Sequence, residues 1–427
     1  MPKCLLSLLL LPLLASAQSS YENVMIDQQV SVFEYAPCEP SIAINPTNTD
    51  EVVGGAILDK VYLSSDGGQT WEIKTLEASA GVFGDPCIVS NVKGDFYYLH
   101  LSDPSGRGWS DDTILDRIVC QRSRNGGKKW SKGGDIGKNH PKDQDKEWAV
   151  THPESCEIYT SWTQFDKYDS PDPMDSTIIL FSKSNKRAKN WSEPVRINQY
   201  AGDCLDDDQT TEGAVPAVGP NGELYVAWAL EDKIYFDRSL DNGESWLEED
   251  IVAGKIKAGW NQQIPGINRC NGMPVTLVDL SSGPNRGTIY INYVDDKQGS
   301  QDHDVFVIKS TDSGNSWSNP IRINDDTSGQ DQFFTWMAID QTNGHLYTVF
   351  YDRRNYDDLR TDVYLASSAD GGKTWLNERI SEFPFIPTES MFFGDYNNIS
   401  AHDGVVRPIW TRMDSGMTSV WTALIQK

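Results

Sequence analysis

Carboxyl groups stand at or just before the start of several short apolar segments in this 427-residue chain. Two carboxyl groups that flank a glycosidic bond can act as general acid and as base or nucleophile in its cleavage. If the fold gathers the segment starts in one place, these side chains could perform that chemistry. The candidate catalytic residues are Glu39, Asp85, Glu147, Glu212, Asp395 and the adjacent Tyr396, and Asp145 and Asp331 occupy similar positions.

A second polar group follows the apolar segments that come next along the chain. Asp352 is followed directly by Arg353 and Arg354, and Arg412 occupies a similar place near the C-terminus. Guanidinium groups can hold a carboxylate-bearing sugar through paired hydrogen bonds, with the aspartate ionised beside them. An aromatic side chain such as Trp336 could stack on a sugar ring. We therefore assign substrate binding to Asp352, Arg353, Arg354, Arg412 and Trp336 as a hypothesis.

For each acidic residue taken alone, a purely structural role is an alternative to catalysis. Such a carboxylate can accept hydrogen bonds from backbone N–H groups or help to hold a structural cation such as calcium. The histidines show no metal-ligand spacing, and no Gly-rich phosphate loop, nucleophile elbow or Cys–His pairing is present. The sequence therefore predicts no catalytic metal and no cofactor.

An eight-residue pattern with Ser first, Asp third, Gly fifth and Trp last organises the whole chain. An Asp side chain accepts hydrogen bonds from its own turn, Gly supplies a positive φ, and Trp covers the turn with apolar surface, so the pattern predicts a tight hairpin. Four copies are complete, and two are degenerate, one with Asn125 in place of the aspartate. The copies are Ser64–Trp71, Ser123–Trp130, Ser184–Trp191, Ser239–Trp246, Ser310–Trp317 and Ser368–Trp375.

The octapeptide resembles the Asp-box, or bacterial neuraminidase repeat, of sialidases and related β-propellers. Each copy follows two strand-like runs, which gives a repeat of roughly 55–70 residues. Counting first strands predicts an all-β propeller with seven four-stranded blades, and six blades is the alternative. A spare strand over Val24–Phe33 is expected to pair into the last blade and close the ring.

Blade topology predicts where a site would lie. In a four-stranded antiparallel blade, the start of the first strand and the end of the second share one face, whereas the octapeptide turn lies on the other. The candidate residues therefore belong to one face, and the octapeptides are structural. Two long insertions, residues 103–116 and 255–271, are expected to project as loops around a pocket on that face.

The resemblance implies a glycosidase-like activity, with sialidases using an arginine triad, a Tyr–Glu nucleophile pair and an aspartate acid/base. Tyr396 is a candidate nucleophile by this analogy. The segment that matches the family's Arg-Ile-Pro motif reads Cys38-Glu39-Pro40-Ser41-Ile42, without arginine. This departure argues against true sialidase activity and leaves an enzyme acting on another acidic glycan. The alternative is a non-catalytic propeller that binds glycan or protein.

Residues 1–17 are predicted to be a secretory signal peptide, which leaves a propeller domain over residues 18–427. Lys3, the apolar run Leu5–Leu14 and the sequence Ala15-Ser16-Ala17 supply its three regions, and the run is too short for a membrane span. We therefore expect a secreted or periplasmic protein.

The net charge limits the classes of partner, and the cysteine content limits the number of disulfides. A charge of −25 argues against nucleic acid and anionic membranes, and it also disfavours a densely sulfated ligand unless a local basic region exists. The expected partner is a carbohydrate or glycoconjugate, without membrane insertion, bound by a monomer. Six cysteines after the signal peptide permit up to three disulfides, although buried free thiols are equally compatible with the sequence.

Overall fold

Seven antiparallel sheets surround a central axis in the computed structural model, which describes residues 21–31, 37–296 and 302–427. Each sheet packs against the next, and the first strand of blade 7 packs against the first strand of blade 1. The chain is therefore a β-propeller of seven blades, as the repeat predicts, and the six-blade alternative is wrong. The predicted signal peptide lies outside the described residues.

The first six blades each consist of four consecutive strands. Blade 1 contains Ser41–Ile44, Val52–Ala56, Lys60–Ser64 and Glu72–Thr75, and blade 2 contains Gly84–Ser90, Phe96–Leu101, Ile118–Ser123 and Gly134–Ile136. Blade 3 contains Asp143–Thr151, Ile158–Phe165, Thr177–Ser184 and Val195–Arg196, and blade 4 contains Glu212–Val218, Leu224–Leu230, Lys233–Ser239 and Ile251–Lys255. Blade 5 contains Val275–Val278, Ile289–Asp296, His303–Ser310 and Ile321–Arg322, and blade 6 contains Gln332–Asp340, His345–Asp352, Asp362–Ser368 and Leu376–Arg379.

Blade 7 combines the two ends of the chain. Its C-terminal strands are Asn398–His402, Val405–Asp414 and Met417–Ala423, with Ile425–Gln426 added beside the second. The N-terminal strand Asn23–Gln28 pairs antiparallel with Met417–Ala423 and completes the blade. Ring closure by the N-terminal strand is confirmed. The strand ends at Gln28, so the predicted continuation over residues 29–31 is wrong, and the remainder to Phe33 lies outside the described part of the chain.

Among the described residues, two further elements lie outside the blades, and both belong to the long insertions. A short 3₁₀ helix spans Gly108–Ser110, and a hairpin pairs Asn261–Gln262 with Cys270–Asn271. No helix in the described residues is long and apolar enough to cross a membrane.

The hydrophobic core lies mainly between neighbouring blades. Both faces of a blade are covered, so its second strand is buried along its whole length, as in Phe96–Leu101 and Leu224–Leu230. This explains why the second strands read as nearly continuous apolar runs rather than alternating ones. The six cysteines of the described chain are buried and form no disulfide bond with one another, so they add to the core rather than to a disulfide framework.

The octapeptides form hydrogen-bonded turns between the third and fourth strands. In blade 5 the Ser310 hydroxyl donates to Asp312 Oδ1 at 2.8 Å and accepts from the Gly314 N–H at 2.8 Å. Asp312 also accepts from the Ser316 N–H at 2.9 Å and the Ser316 hydroxyl at 2.6 Å. The hydroxyl and N–H of Ser316 lower the pKa of Asp312 to about 2. The closing Trp317 packs edge-on against Phe236 of blade 4, so the turn also joins two blades.

Candidate functional site

Bulges at the start of the first strands place side chains over the propeller axis. A bulge leaves one extra residue unpaired and redirects its side chain. The pairing register shifts near the start of this strand in four blades, and the inserted residues Asp85, Lys146, Gly213 and Phe334 have φ of 50°, 53°, 75° and 48°. In blades 2 and 3 the bulge therefore presents a carboxylate and an ammonium group.

A pocket of about 810 Å³ lies on this face of the ring. Glu39, Asp85 and Asp145 supply carboxyl groups to its lining, and Lys146 and Arg269 supply cations. Both long insertions contribute to the wall, which confirms the expectation that they surround a pocket. The remaining lining residues are apolar, aromatic or amide side chains: Ile57, Leu58, Phe83, Leu101, Trp109, Leu115, Tyr168, Asn268 and Phe392.

Asp395 connects the two cations below the pocket. Its Oδ2 lies 2.8 Å from Lys146 Nζ, and its Oδ1 accepts a hydrogen bond from Arg269 Nε at 2.8 Å. A second guanidinium nitrogen of Arg269 also contacts the carboxylate, which makes the Arg269 pair bidentate. Lys146 Nζ lies 3.3 Å from Asp85 Oδ2 as well. The cluster therefore links blades 2, 3 and 7 to the insertion that carries Arg269.

Arg269 is held from its other side by Asp206 and Tyr168. Its Nη1 lies 2.8 Å from Asp206 Oδ2, which also accepts a hydrogen bond of 2.6 Å from the Tyr168 hydroxyl. Trp260 Nε1 donates to the other oxygen of Asp206 at 3.2 Å. The guanidinium is thus fixed by two carboxylates, and about a third of the Arg269 side chain remains exposed.

The pKa values of the carboxyl groups in the site are shifted in opposite directions. Burial raises the pKa of Asp145 to about 7 against the effect of Lys146, and it also raises the pKa of Glu39, with Asp85 and Asp395 adding to the shift. Burial acts in the same direction on Asp395, but Arg269 and Lys146 outweigh it and hold the Asp395 pKa well below its usual range. A site that contains both protonated and ionised carboxyl groups can both donate a proton and stabilise positive charge.

Four candidate catalytic residues do not line the pocket, and one of them is Asp395, which lies below it. Glu147, Glu212 and Tyr396 are buried, and none of their side-chain oxygens has a hydrogen-bond partner among the described residues. Burial raises the pKa of all three, with Asp85 adding to the shift of Glu147 and Asp206 to that of Glu212. Catalytic roles for them stay predictions, and the geometry places Asp85 and Glu39 in better positions.

Aromatic rings occupy the axis of the ring. The ring centroids of Trp148 and Trp336 lie 4.2 Å apart although these residues belong to blades 3 and 6, and Tyr396 packs edge-on against Trp148. An axial channel of about 280 Å³ is lined by the first strands of all seven blades, Trp148 and Trp336 among them. Trp336 does not line the pocket and is only 7% exposed, so its geometry suits packing rather than sugar stacking.

The arginine-containing group lies away from the pocket. Arg354 Nη2 lies 2.7 Å from Asp352 Oδ2, and Nη1 of the same guanidinium lies 2.5 Å from Asp325. Arg353 is buried over the Phe333 ring, and Arg412 contacts Asp414 and two backbone carbonyl groups. Burial raises the pKa of Asp352 to about 6 despite Arg354. The structure does not bring Asp352, Arg353, Arg354 and Arg412 to the lining of this pocket, because each is engaged at the end of its own strand.

Several residues in or next to the pocket were not predicted from the sequence, although they lie beside features that the sequence shows. Lys146 stands between Asp145 and Glu147, and Arg269 and Trp109 lie in the two insertions. Asp206 belongs to the acidic stretch Asp206-Asp207-Asp208, which was a usable signal. No group of three or more His, Cys, Asp or Glu side chains within the described ranges is arranged to hold a metal ion. The possibility of structural calcium stays a prediction.

The fold and the site define a seven-bladed β-propeller with a charged pocket over its axis. No protein-family model and no curated protein matches the sequence. The chain is similar to a crystal structure of a Dyadobacter fermentans protein of unknown function, at 11% identity over 80% of this chain and 93% of that chain, with a TM-score of 0.53.

Two solved glycosidase structures are also similar. An α-L-arabinofuranosidase from Fusarium graminearum, a mutant in complex with an iminosugar inhibitor, has 12% identity over 95% of this chain and 97% of its own, with a TM-score of 0.50. A Hadza microbial sialidase has 14% identity over 88% of this chain and 73% of its own, with a TM-score of 0.47. At 12% identity the similarity to the arabinofuranosidase supports the propeller fold alone and leaves the activity to the site.

Proposed function

We propose that the chain is a secreted glycoside hydrolase of the Asp-box propeller type that cleaves a glycan in the axial pocket. In this proposal Asp145 donates a proton to the leaving-group oxygen, and Asp85 is the carboxylate partner on the other side of the scissile bond. Lys146 and Arg269 position the carboxylates, and Phe83, Trp109 and Phe392 provide apolar surface for sugar rings. Secretion rests on the predicted signal peptide.

One observation carries the proposal. The pocket places Asp145, whose pKa burial raises to about 7, in the same lining as Asp85, which lies 3.3 Å from Lys146. A carboxyl group that keeps its proton near neutral pH, beside a second one paired with a cation, is the combination that acid-assisted glycoside cleavage requires.

The charge of the pocket favours a neutral glycan over the acidic one suggested by the sequence. Lys146 and Arg269 are the two cations of the lining, and both are already paired with carboxylates. An acidic sugar would add a negative charge near the ionised Asp395, without an unpaired cation in the lining to offset it. The arginines that were expected to hold such a sugar lie elsewhere.

Replacing the proposed acid tests the mechanism directly. Asp145→Asn should lower kcat on an unactivated oligosaccharide by about 10²–10⁴-fold, because the leaving oxygen then departs unprotonated. The loss should be much smaller on a 4-nitrophenyl glycoside, whose leaving group needs no proton. The measurement is steady-state hydrolysis over a panel of neutral and acidic glycosides. Equal losses on both substrate types, or no turnover on any panel member, would refute the assignment.

The pH profile gives a second readout of the same residue. Asp145 donates a proton only when protonated, so kcat/KM should fall as the pH rises through about 7. Asp237→Asn is the matched control, because burial also raises the pKa of Asp237 to about 7, but Asp237 lies in blade 4 away from the pocket lining. The Asp237→Asn variant should keep the fall in kcat/KM above pH 7, and the Asp145→Asn variant should lack it.

A binding propeller without catalysis is the second candidate. Its support is the fully paired state of Asp395, which is fixed by two cations and suits a rigid recognition surface. Glycan binding that is measurable without product formation and unchanged by Asp145→Asn would favour this alternative. Loss of that binding in Trp109→Ala would place the ligand in the same pocket.

A further inference from the structure

Positive charge is concentrated in two segments of an otherwise acidic chain. Residues 122–132 contain five Lys or Arg and residues 183–189 contain four, and neither segment contains Asp or Glu. Nine of the 37 cations of the protein therefore lie in two short stretches, although the net charge is −25. These stretches are the degenerate octapeptide turns of blades 2 and 3.

The two segments are neighbours in the structure. The Tyr97 hydroxyl of blade 2 donates a hydrogen bond of 2.8 Å to the backbone carbonyl of Lys186 in the blade 3 turn. A groove of about 850 Å³ runs along the contact between these blades. Its lining combines both segments with one acid: Asp95, Arg122, Arg124, Asn125, Lys129, Trp130, Ser131 and Arg187.

Most of these cations form no ion pair with the part of the chain that the structure describes. Arg122 pairs with Asp95 at 2.5 Å, and Lys183 pairs with Glu244 at 2.6 Å. The others are exposed and form no ion pair with any residue in the described ranges: Arg124, Lys128, Lys129, Lys132, Lys186, Arg187 and Lys189. Clustered cations repel one another, so this arrangement costs stability unless an external anion offsets it.

The blade 2 turn keeps its hydrogen bonds although an asparagine replaces the usual aspartate. Asn125 occupies the aspartate position of the blade 2 octapeptide and accepts hydrogen bonds from the Lys129 N–H at 3.0 Å and the Ser123 hydroxyl at 2.9 Å. These are the bonds that Asp312 accepts in blade 5. The exchange keeps the local geometry and removes a carboxylate from the middle of the cations.

We propose that this groove binds a strand of anionic polysaccharide, held by Arg124, Lys129 and Arg187 with Trp130 in contact with a sugar ring. Cations spaced along a groove release counterions from a polyanion, and an aromatic side chain among them favours a carbohydrate. A concave groove fits a strand better than the flat surface of a membrane. The octapeptide turns lie on the face opposite the axial pocket, so the groove anchors the protein independently of the pocket's chemistry.

A triple charge reversal with a matched control tests the groove. The test variant is Arg124→Glu/Lys129→Glu/Arg187→Glu, and the control is Lys255→Glu/Lys257→Glu/Lys373→Glu, which changes the net charge equally with exposed residues elsewhere. Titration with dextran sulfate at several salt concentrations measures Kd, and uncharged dextran is the neutral probe. The test variant should bind dextran sulfate at least tenfold more weakly, with a shallower salt dependence, and the control should stay within about twofold.

The other outcomes decide against the groove. Equal losses in both variants would show that binding follows net charge alone. Tighter binding to anionic phospholipid vesicles or to oligothymidylate than to dextran sulfate would assign the cations to a membrane or a nucleic acid. Both variants should remain folded, as thermal unfolding can check, and hydrolysis in the axial pocket should be unchanged in the test variant. Failure of this proposal is therefore distinct from failure of the proposed enzyme.

Discussion

Lys146 places an ammonium group under the pocket, where its side chain is only 4% exposed. Burial alone would lower the pKa of this lysine, but Asp395 and Asp85 outweigh burial and raise it. A charge in such surroundings is tolerated only when its partners remain in place. Asp395 is the common partner of Lys146 and Arg269, so the arrangement of the pocket floor depends on this one carboxylate.

Removing the Asp395 charge should therefore destabilise the fold. We expect Asp395→Asn to lower the free energy of unfolding by about 3 kcal/mol, the lower end of the range for breaking a buried pair, because Lys146 keeps Asp85 as a partner. Urea denaturation measures the change. Asp358→Asn is the control, since it removes the carboxylate of the exposed pair with Arg360 and should have little effect. Similar midpoints for the two variants would contradict a structural role for the Asp395 cluster.

The octapeptide turn acts as an element that closes one blade and contacts the blade before it. Gly314 has a φ of 84°, and a Cβ at this position would clash with the Phe236 ring of blade 4. Glycine is therefore required twice, for the backbone conformation and for the approach of the neighbouring blade. This second requirement explains why the turn sequence recurs with the blades rather than at isolated hairpins.

Two alanine variants can separate these requirements. Gly314→Ala should destabilise the protein by about 2–4 kcal/mol, because left-handed strain is added to overpacking against Phe236. Gly329→Ala should cost only about 1 kcal/mol, since Gly329 has a φ of 71° with nothing within 4 Å of the added methyl group. Thermal or guanidinium unfolding gives both values. Equal effects would show that the contact between the blades contributes nothing.

The whole molecule is a ring whose two chain ends meet in blade 7. Ile26 of the N-terminal strand is 5% exposed and packs in one cluster with Ile42 and Val52 of blade 1 and Val420 of blade 7. The N-terminal strand therefore removes an open sheet edge and also holds the last blade against the first.

If the N-terminal strand closes the ring, alanine substitutions at two adjacent positions of this strand should differ strongly in their effect on stability. Ile26→Ala should destabilise the protein by about 2–5 kcal/mol, because it opens a cavity between blades 7 and 1. Met25→Ala should change stability by no more than about 0.5 kcal/mol, since Met25 is 45% exposed. Denaturant titration of both variants tests this. Equal stability of the two variants would mean that the N-terminal strand is not part of the cooperative core.

The pocket contains some of the residues that the sequence placed on one face and leaves others out. Glu39 and Asp85 were predicted for the site because they stand at strand starts on one face, and both side chains line the pocket on that face. Arg354 stands at a strand end on the same face, yet it turns toward Asp352 and Asp325 rather than the axis. Strand position specifies the face, but the bulge, the rotamer and the nearest counter-charge decide the direction of a side chain.

The sequence by itself determined the seven blades, their closure by the N-terminal strand and the structural part played by the octapeptides, because each depends on contacts within a repeat or between adjacent repeats. Only the tertiary structure decided which charges meet, since Lys146 and Asp395 are 249 residues apart in the chain and Arg269 reaches both Asp206 and Asp395 from an insertion. It also joined the basic turns of blades 2 and 3 into one groove. Contacts between such distant residues depend on the curvature of the ring and the path of its loops, and no local sequence pattern specifies either.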